Sequence, residues 1–185
     1  MTPPTIVLVH GAWHTSECYR EVIPLLESTG FPTVALTHPS VTESANVVDA
    51  ATDTAYIRDA LIKIIDRGTS IVLVMHEYGG IVGTGSAKGL ASRFRKKVGK
   101  EGGINALVYL ASWMIPVGRT ILDMRDSHSQ DWVEFEVCSS LLLHHLSSRM
   151  QNGYATLCPH AGEILYNDLS RQAQATWFST TRGQA

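Results

Sequence analysis

The sequence is poor in the features that mark several classes of protein. Charged residues make up 17% of its 185 residues, and 15 Lys and Arg face 17 Asp and Glu, for a net charge of −2. Without a basic surplus, we expect no nucleic-acid partner. No apolar stretch approaches the ~18 residues that a membrane span needs, so we expect no membrane partner. The start, residues 1–4, carries no basic flank, which argues against a signal peptide.

Cysteine is also scarce. Cys18, Cys138 and Cys158 lie far apart, lack the spacing of metal ligands, and would leave one cysteine over if two were paired. This pattern predicts a reduced, cytoplasmic protein. Hydrophobic residues reach 44% in a chain of 20.2 kDa, which is enough to bury the core of one domain and excludes extensive disorder.

The first 116 residues alternate between strand-like and helix-like patterns. Apolar, β-branched runs typical of buried strands occupy residues 5–9, 33–37, 70–75 and 104–111. Segments with helical spacing lie between them, at about residues 22–30, 46–67 and 81–97. Four strands with three helical crossovers predict an α/β fold: a parallel sheet with helices on both faces.

The pattern changes after residue 116. Residues 132–137 alternate apolar and acidic side chains and could pair with residues 154–158 as a small hairpin. Between them, residues 138–151 differ in composition and have the character of an insertion, while helical signals return at 161–168 and 171–178. We therefore divide the chain into a core, residues 1–116, and a cap-like, mainly helical region, residues 117–185.

Two motifs carry side chains suited to chemistry. One is the run from His10 to His14, HGAWH, which follows the first strand. The other is MHEYGG, residues 75–80, which joins the third strand to a helix. Because ligands of parallel α/β sheets bind beyond the carboxyl ends of the strands, both motifs are expected at one site.

This pair of motifs resembles the α/β-hydrolase family, in particular its small esterase-like members with an HGAW-type oxyanion segment. The resemblance covers residues 5–116 in order and spacing, and extends loosely through residues 166–169 of the cap-like region. It implies that the backbone N–H groups of Ala12 and Tyr78 stabilise an oxyanion. It also implies a substrate pocket under the cap, to which we assign Trp13, His14, His76, Trp113 and Met114.

The nucleophile position departs from the family pattern. The family's turn reads G-x-S-x-G, whereas here it reads MHEYG, with Met75 at the first glycine and Glu77 at the serine. Some relatives that open epoxides or displace halide use Asp there as a carboxylate nucleophile. None of the eight histidines matches the family's catalytic His by order, because the chain ends before any recognisable later strand.

Two functions are consistent with these residues. The first is an enzyme that acts on a small carbonyl or ester compound, with Glu77 as general base or nucleophile. The alternative is a catalytically inactive pocket or interaction protein of the same fold, in which the carboxylate is held by the helix N-terminus. No cofactor or metal is implied, since the sequence has neither a dinucleotide fingerprint nor an HExxH pair.

The last predicted strand, residues 104–111, is long and apolar. If the sheet stops there, its edge is exposed, and exposed edges invite pairing. We therefore expect a homodimer that covers this edge, or a cap segment that folds back over it.

Overall fold

The computed structural model describes residues 2–42, 48–119, 121–124, 133–136, 154–157 and 159–184. Its strands are β1 (Thr5–Val9), β2 (Thr33–Leu36), β3 (Val41–Thr42), β4 (Ser70–His76), β5 (Gly103–Leu110), β6 (Val133–Glu136), β7 (Tyr154–Leu157) and β8 (Gly183–Gln184). Its helices are α1 (Val22–Ser28), α2 (Ala50–Ile65), α3 (Gly79–Ser86), α4 (Ser92–Lys97), α5 (Ile121–Met124), α6 (Ala161–Leu165) and α7 (Arg171–Phe178), with a 3₁₀ turn at Ser16–Tyr19.

The main sheet has four parallel strands in the order β2-β1-β4-β5. The two central strands are in register, with Val7 beside Leu73 and Val9 beside Met75. All four predicted strands are present, and the predicted α/β class is confirmed. The order places the carboxyl ends of β1, β4 and β5 side by side, and the functional motifs follow these ends.

The core lies between one face of this sheet and helices α2 and α3. Strand β4 alternates between buried and half-buried residues, and its buried set is completely enclosed. Helix α2 contributes one buried stripe at helical spacing. The alternating buried residues of the strand therefore pack against the apolar face of the helix. The fully buried side chains at this interface include Ile57, Leu61, Ile65, Ile71, Leu73 and Met75.

The predicted helix over residues 81–97 is wrong, since the structure has two helices there. Helix α3 ends at Ser86, and Gly89 then takes a left-handed conformation with φ of 76°. Leu90 is buried, and its carbonyl accepts the N–H of Ile104 at 2.8 Å. The backbone therefore leaves the helical path between α3 and α4, and Leu90 bonds to the start of β5 instead.

Helix α2 begins later than the sequence pattern suggested. It starts at Ala50, because the Asp49 side chain accepts the N–H of Thr52 at 2.8 Å and caps the first turn. It ends at Ile65, two residues before the predicted end, and Gly68 follows with a left-handed φ of 82°. The first two residues of the predicted helix, 46 and 47, lie outside the described residues.

A second, smaller sheet has the order β3-β8-β7-β6. The predicted hairpin is confirmed, since β6 pairs antiparallel with β7, and Val133 lies opposite Leu157. Strands β3 and β8 were not predicted, and each has two residues. The insertion-like segment, residues 138–151, lies outside the described residues. Within the described ranges, no helix is long and apolar enough to cross a membrane.

Candidate active site

Three loops meet at the carboxyl end of the main sheet. They follow β1, β4 and β5, and they carry Gly11, Glu77 and Trp113 respectively. The first two loops touch, since a Cβ built on Gly11 would lie 3.0 Å from Cβ of Glu77 and 3.1 Å from its Oε2. The structure therefore brings together the two motifs that the sequence placed at one site.

The Glu77 carboxylate accepts three hydrogen bonds from N–H groups. Its Oε2 accepts the backbone N–H of Ala12 at 2.8 Å and that of Tyr78 at 2.6 Å. Its Oε1 accepts the indole Nε1–H of Trp113 at 2.8 Å. The two backbone amides that the resemblance assigned to an oxyanion thus both point at a side chain of the protein itself.

The loop after β5 clamps the backbone of Glu77. The N–H of Glu77 donates to the carbonyl of Leu110 at 3.3 Å. The Glu77 carbonyl accepts the Ser112 hydroxyl at 2.8 Å and the N–H of Trp113 at 3.2 Å. Sequence analysis placed Ala111 at the end of the predicted strand and did not single out Ser112, although two small residues stand together there.

Backbone strain is concentrated in the same three loops. The non-glycine residues with positive φ in the described chain are Trp13 at 62°, Glu77 at 47° and Ala111 at 41°. Each of them lies in one of the three loops after β1, β4 and β5. Residues held in this conformation cluster at functional sites, where the surrounding structure enforces it.

Glycines allow the turn at Glu77 to close. A Cβ at Gly79 would lie 2.5 Å from the carbonyl oxygen of Val9, and one at Gly80 would lie 2.6 Å from that of Trp113. Met75, which replaces the family's first glycine, is fully buried, and its Sδ would lie 2.6 Å from a Cβ on Gly83. The turn therefore forms without a glycine at residue 75.

A buried pair of histidines supports the first loop. Nε2 of His10 accepts the N–H of His38 at 3.2 Å, so its proton lies on Nδ1, which donates to the carbonyl of Gly11 at 2.7 Å. Nε2 of His38 donates to the carbonyl of His10 at 2.8 Å. Burial, with a smaller contribution from His38, lowers the pKa of His10 to about 2. Burial also lowers the pKa of His38, so burial favours the neutral form of both rings.

A buried carboxylate supports the second loop. Asp53 is completely enclosed and accepts the Tyr78 hydroxyl at 2.9 Å, together with the backbone N–H (2.9 Å) and hydroxyl of Ser40. Burial, followed by the charge of Asp53, raises the pKa of Tyr78 far above its ordinary value, so its hydroxyl stays a donor. Sequence analysis did not identify Asp53, because no local pattern places helix α2 beside residue 78.

The C-terminal segment contacts the loop after β1. His14 accepts the Tyr166 hydroxyl at Nε2 (2.8 Å), while its Nδ1 donates to the carbonyl of Ala12 at 2.7 Å. Burial raises the pKa of Tyr166 to about 12, which keeps that hydroxyl protonated. The N–H of Arg182 donates to the carbonyl of Trp13 at 2.8 Å.

Two further predicted site residues, His76 and Met114, differ in how far they are buried. His76 is half-buried beside Gly11, and its pKa is lowered by burial although the charge of Glu77 opposes this. Met114 is 71% exposed, so the described structure does not enclose it in a pocket. In the part of the chain that the structure describes, no group of three His, Cys, Asp or Glu side chains could hold a metal ion.

The four-stranded parallel sheet and the strand-to-helix turn at residue 77 are the features of an α/β-hydrolase fold. A family model described as "Alpha/beta hydrolase family" matches residues 6–183, and the chain belongs to this family.

Named relatives agree with this assignment. The chain is 31% identical over 135 residues to "Alpha/beta hydrolase nvfD" of Aspergillus novofumigatus, which covers 72% of this chain and 53% of the relative. It is 38% identical over 94 residues to a "Carbendazim hydrolyzing esterase" of a Nocardioides species, covering 50% of this chain and 39% of the relative. The chain thus spans about half the length of these relatives, or less.

Solved structures show the same fold. Polyneuridine aldehyde esterase superposes with a TM-score of 0.73 at 14% identity, covering 99% of this chain and 69% of that chain. The methylesterase MES16 from Arabidopsis superposes with a TM-score of 0.65 at 19% identity, covering 98% and 66%. At such identities the likeness concerns the fold alone.

Proposed function

We propose that this member of the hydrolase family does not transfer acyl groups to residue 77, and that it serves as a pocket or interaction protein of the same fold. The observation that supports this is the position of Glu77 Oε2, which accepts the N–H groups of both Ala12 and Tyr78. The donors that would stabilise a substrate oxyanion are already engaged.

This arrangement argues against Glu77 as a nucleophile. For acyl transfer, a carboxylate oxygen must attack a carbonyl carbon while the carbonyl oxygen binds two donors at about 3 Å. Here the carboxylate and the substrate oxygen would need the same two N–H groups. Either the side chain leaves the amides, at the expense of its hydrogen bonds, or the developing oxyanion has no donor.

A second candidate is an enzyme that uses Glu77 as a general base on a small carbonyl or ester compound. A carboxylate offers about four lone-pair positions, and three N–H groups of the described residues occupy three of them. One position on Oε1 could therefore take a proton. The side chain is also half-buried rather than enclosed, so a small compound could reach it.

The Glu77→Gln variant separates the two candidates, because it keeps the shape and removes the proton acceptor. Wild type, Glu77→Gln and the matched surface variant Glu101→Gln are assayed side by side against a panel of small methyl and p-nitrophenyl esters. For a pocket protein, all three give the buffer rate. Turnover by wild type that falls by 10²–10⁴-fold in Glu77→Gln alone would instead establish the general base.

A further inference from the structure

We propose that Ala12, Tyr78 and Trp113 form a receptor for a small carboxylate, which the chain fills with its own Glu77 side chain. This inference rests on the proposed function, in which Glu77 is not consumed as a nucleophile. It goes further, because it names the chemical class of ligand that the site recognises and adds the Trp113 indole as the third donor.

The donors match a carboxylate in number and in type. Two backbone N–H groups converge on Oε2 and one indole N–H reaches Oε1, all at 2.6–2.8 Å. Such short bonds are typical of a charged acceptor. None of the three groups can accept a hydrogen bond, so an amide ligand would place its NH₂ against a donor on one side.

The backbone segments that carry the three donors are held by contacts other than those of the Glu77 side chain. The N–H of Tyr78 lies at the start of α3, while the Tyr78 hydroxyl is fixed by the buried Asp53. The N–H of Ala12 belongs to the loop that the His10 imidazole braces through its bond to Gly11. The backbone of Trp113 bonds to the Glu77 carbonyl, which a substitution at residue 77 leaves in place. Preorganised donors bind with little loss of entropy.

In the native chain the tethered carboxylate has the advantage. A side chain on a short tether acts at an effective concentration in the millimolar range or above, so a free monocarboxylate competes poorly with it. Truncation of residue 77 empties the receptor without removing any of its donors. The truncated chain should therefore bind a free carboxylate that the wild type does not.

The test uses full-length ¹⁵N-labelled protein titrated with acetate at constant ionic strength. In Glu77→Ala, the amide signals of Ala12 and Tyr78 and the indole signal of Trp113 should shift together and saturate. The apparent affinity should be at least tenfold higher than in wild type. Acetamide, whose carbonyl oxygen can accept the two backbone N–H groups but whose NH₂ would face the indole donor, should bind more weakly than acetate. Glu77→Ala/Trp113→Phe should lose at least fivefold of the affinity. Glu101→Ala, a matched truncation outside the site, should behave as wild type.

Unsaturable shifts, or equal shifts in wild type and Glu77→Ala, would overturn the receptor. Glu77→Ser serves in the same way if Glu77→Ala does not fold, because a side chain of that size also empties the receptor. The turnover assays on wild type decide the proposed function separately. A folded variant that ignores acetate while wild type remains inactive therefore refutes the receptor alone.

Discussion

His10 couples the ionisation of one side chain to the stability of the whole fold. Its imidazole is completely buried and its pKa is lowered from 6.5 to about 2, chiefly by burial. Below pH 6.5 the unfolded chain binds a proton there and the folded chain does not. The contribution of His10 to the free energy of unfolding should therefore have its full value above pH 6.5. Below that pH it should fall by up to about 1.4 kcal/mol per pH unit, down to about pH 2.

Urea unfolding at pH 7.5 and pH 5.0 measures this dependence. His38 and His76, whose pKa values are also lowered by burial, add to the same trend in wild type. In the His10→Gln variant, the free energy of unfolding should fall less between the two pH values. The difference should be roughly the contribution of one proton-binding group. An unchanged loss in that variant would show that the imidazole of His10 does not cause the effect.

The sequence placed part of the site correctly. Ala12, Glu77 and Tyr78 were expected to meet because both motifs follow the carboxyl ends of predicted parallel strands, and hydrogen bonds join the three residues in the structure. Their roles in chemistry remain predictions. The position of each motif directly after a predicted strand is a local signal that the sequence alone provides. His38 and Asp53 could not be found in this way, since each supports the site from a distant element whose docking no local pattern encodes.

At the scale of the element, Gly79 shows how tertiary contacts override helix propensity. Replacement of a helical glycine by alanine ordinarily adds about 1 kcal/mol of stability. At Gly79, however, the new Cβ would lie 2.5 Å from the carbonyl of Val9 and 2.7 Å from that of His10, and neither backbone group can yield cheaply. We expect Gly79→Ala to lose more than ~2 kcal/mol of unfolding free energy.

Gly85→Ala in the same helix is the matched control. Its Cβ would meet only the Thr54 side chain, with Cγ2 at 3.0 Å, and α2 can adjust to that contact. Chemical denaturation should therefore rank wild type and Gly85→Ala well above Gly79→Ala. Equal stability of the two variants would mean that α3 does not press against the end of β1.

The break between α3 and α4 was beyond the reach of the sequence pattern for a related reason. The segment over residues 81–97 contains Gly83, Gly85 and Gly89, and an isolated glycine is tolerated in many helices, so none of the three marks the stop by itself. After α3 ends, Gly89 takes a left-handed conformation and the carbonyl of Leu90 accepts the N–H of Ile104. Such a bond depends on where β5 lies, and only the folded chain specifies that position.

At the scale of the molecule, no strand of the described residues pairs with the outer edge of β5. It is the edge strand of the parallel sheet, and it carries exposed apolar side chains on both faces. Leu107 is 40% exposed on the face shared with Leu73, while Val108 and Leu110 are 36% and 47% exposed on the other. The strand contains no charge and no proline, the usual protections of an edge.

We propose that a second copy of the chain pairs with this edge. An antiparallel pairing of β5 with its copy is self-complementary and brings no like charges together. Multi-angle light scattering should then give twice the chain mass of 20.2 kDa at micromolar concentration. Leu107→Lys should give a monomer, whereas Leu25→Lys, at a position 67% exposed on α1, should remain dimeric. A monomeric wild type would contradict the proposal.

The second sheet bears on how the chain is divided. Strand β3 belongs to residues 1–116 and pairs with β8 at the C-terminal end, while β8 also pairs with β7. A core and a cap-like region, residues 117–185, remain a prediction, as does the cellular location. The local patterns indicated the hairpin of β6 and β7, but strands of two residues carry too little pattern to be predicted.

The positive φ angles at Trp13, Glu77 and Ala111 have a thermodynamic consequence. A left-handed conformation costs an L-residue with a side chain about 1–2 kcal/mol relative to its relaxed state. Together the three loops would store several kcal/mol, a large fraction of the 5–15 kcal/mol that holds an ordinary domain folded. The rest of the molecule, above all the interface of α2 with the main sheet, must therefore hold a surplus of stability. The strained loops at the carboxyl end of the sheet are therefore held in their conformation by the stability of the core beneath them.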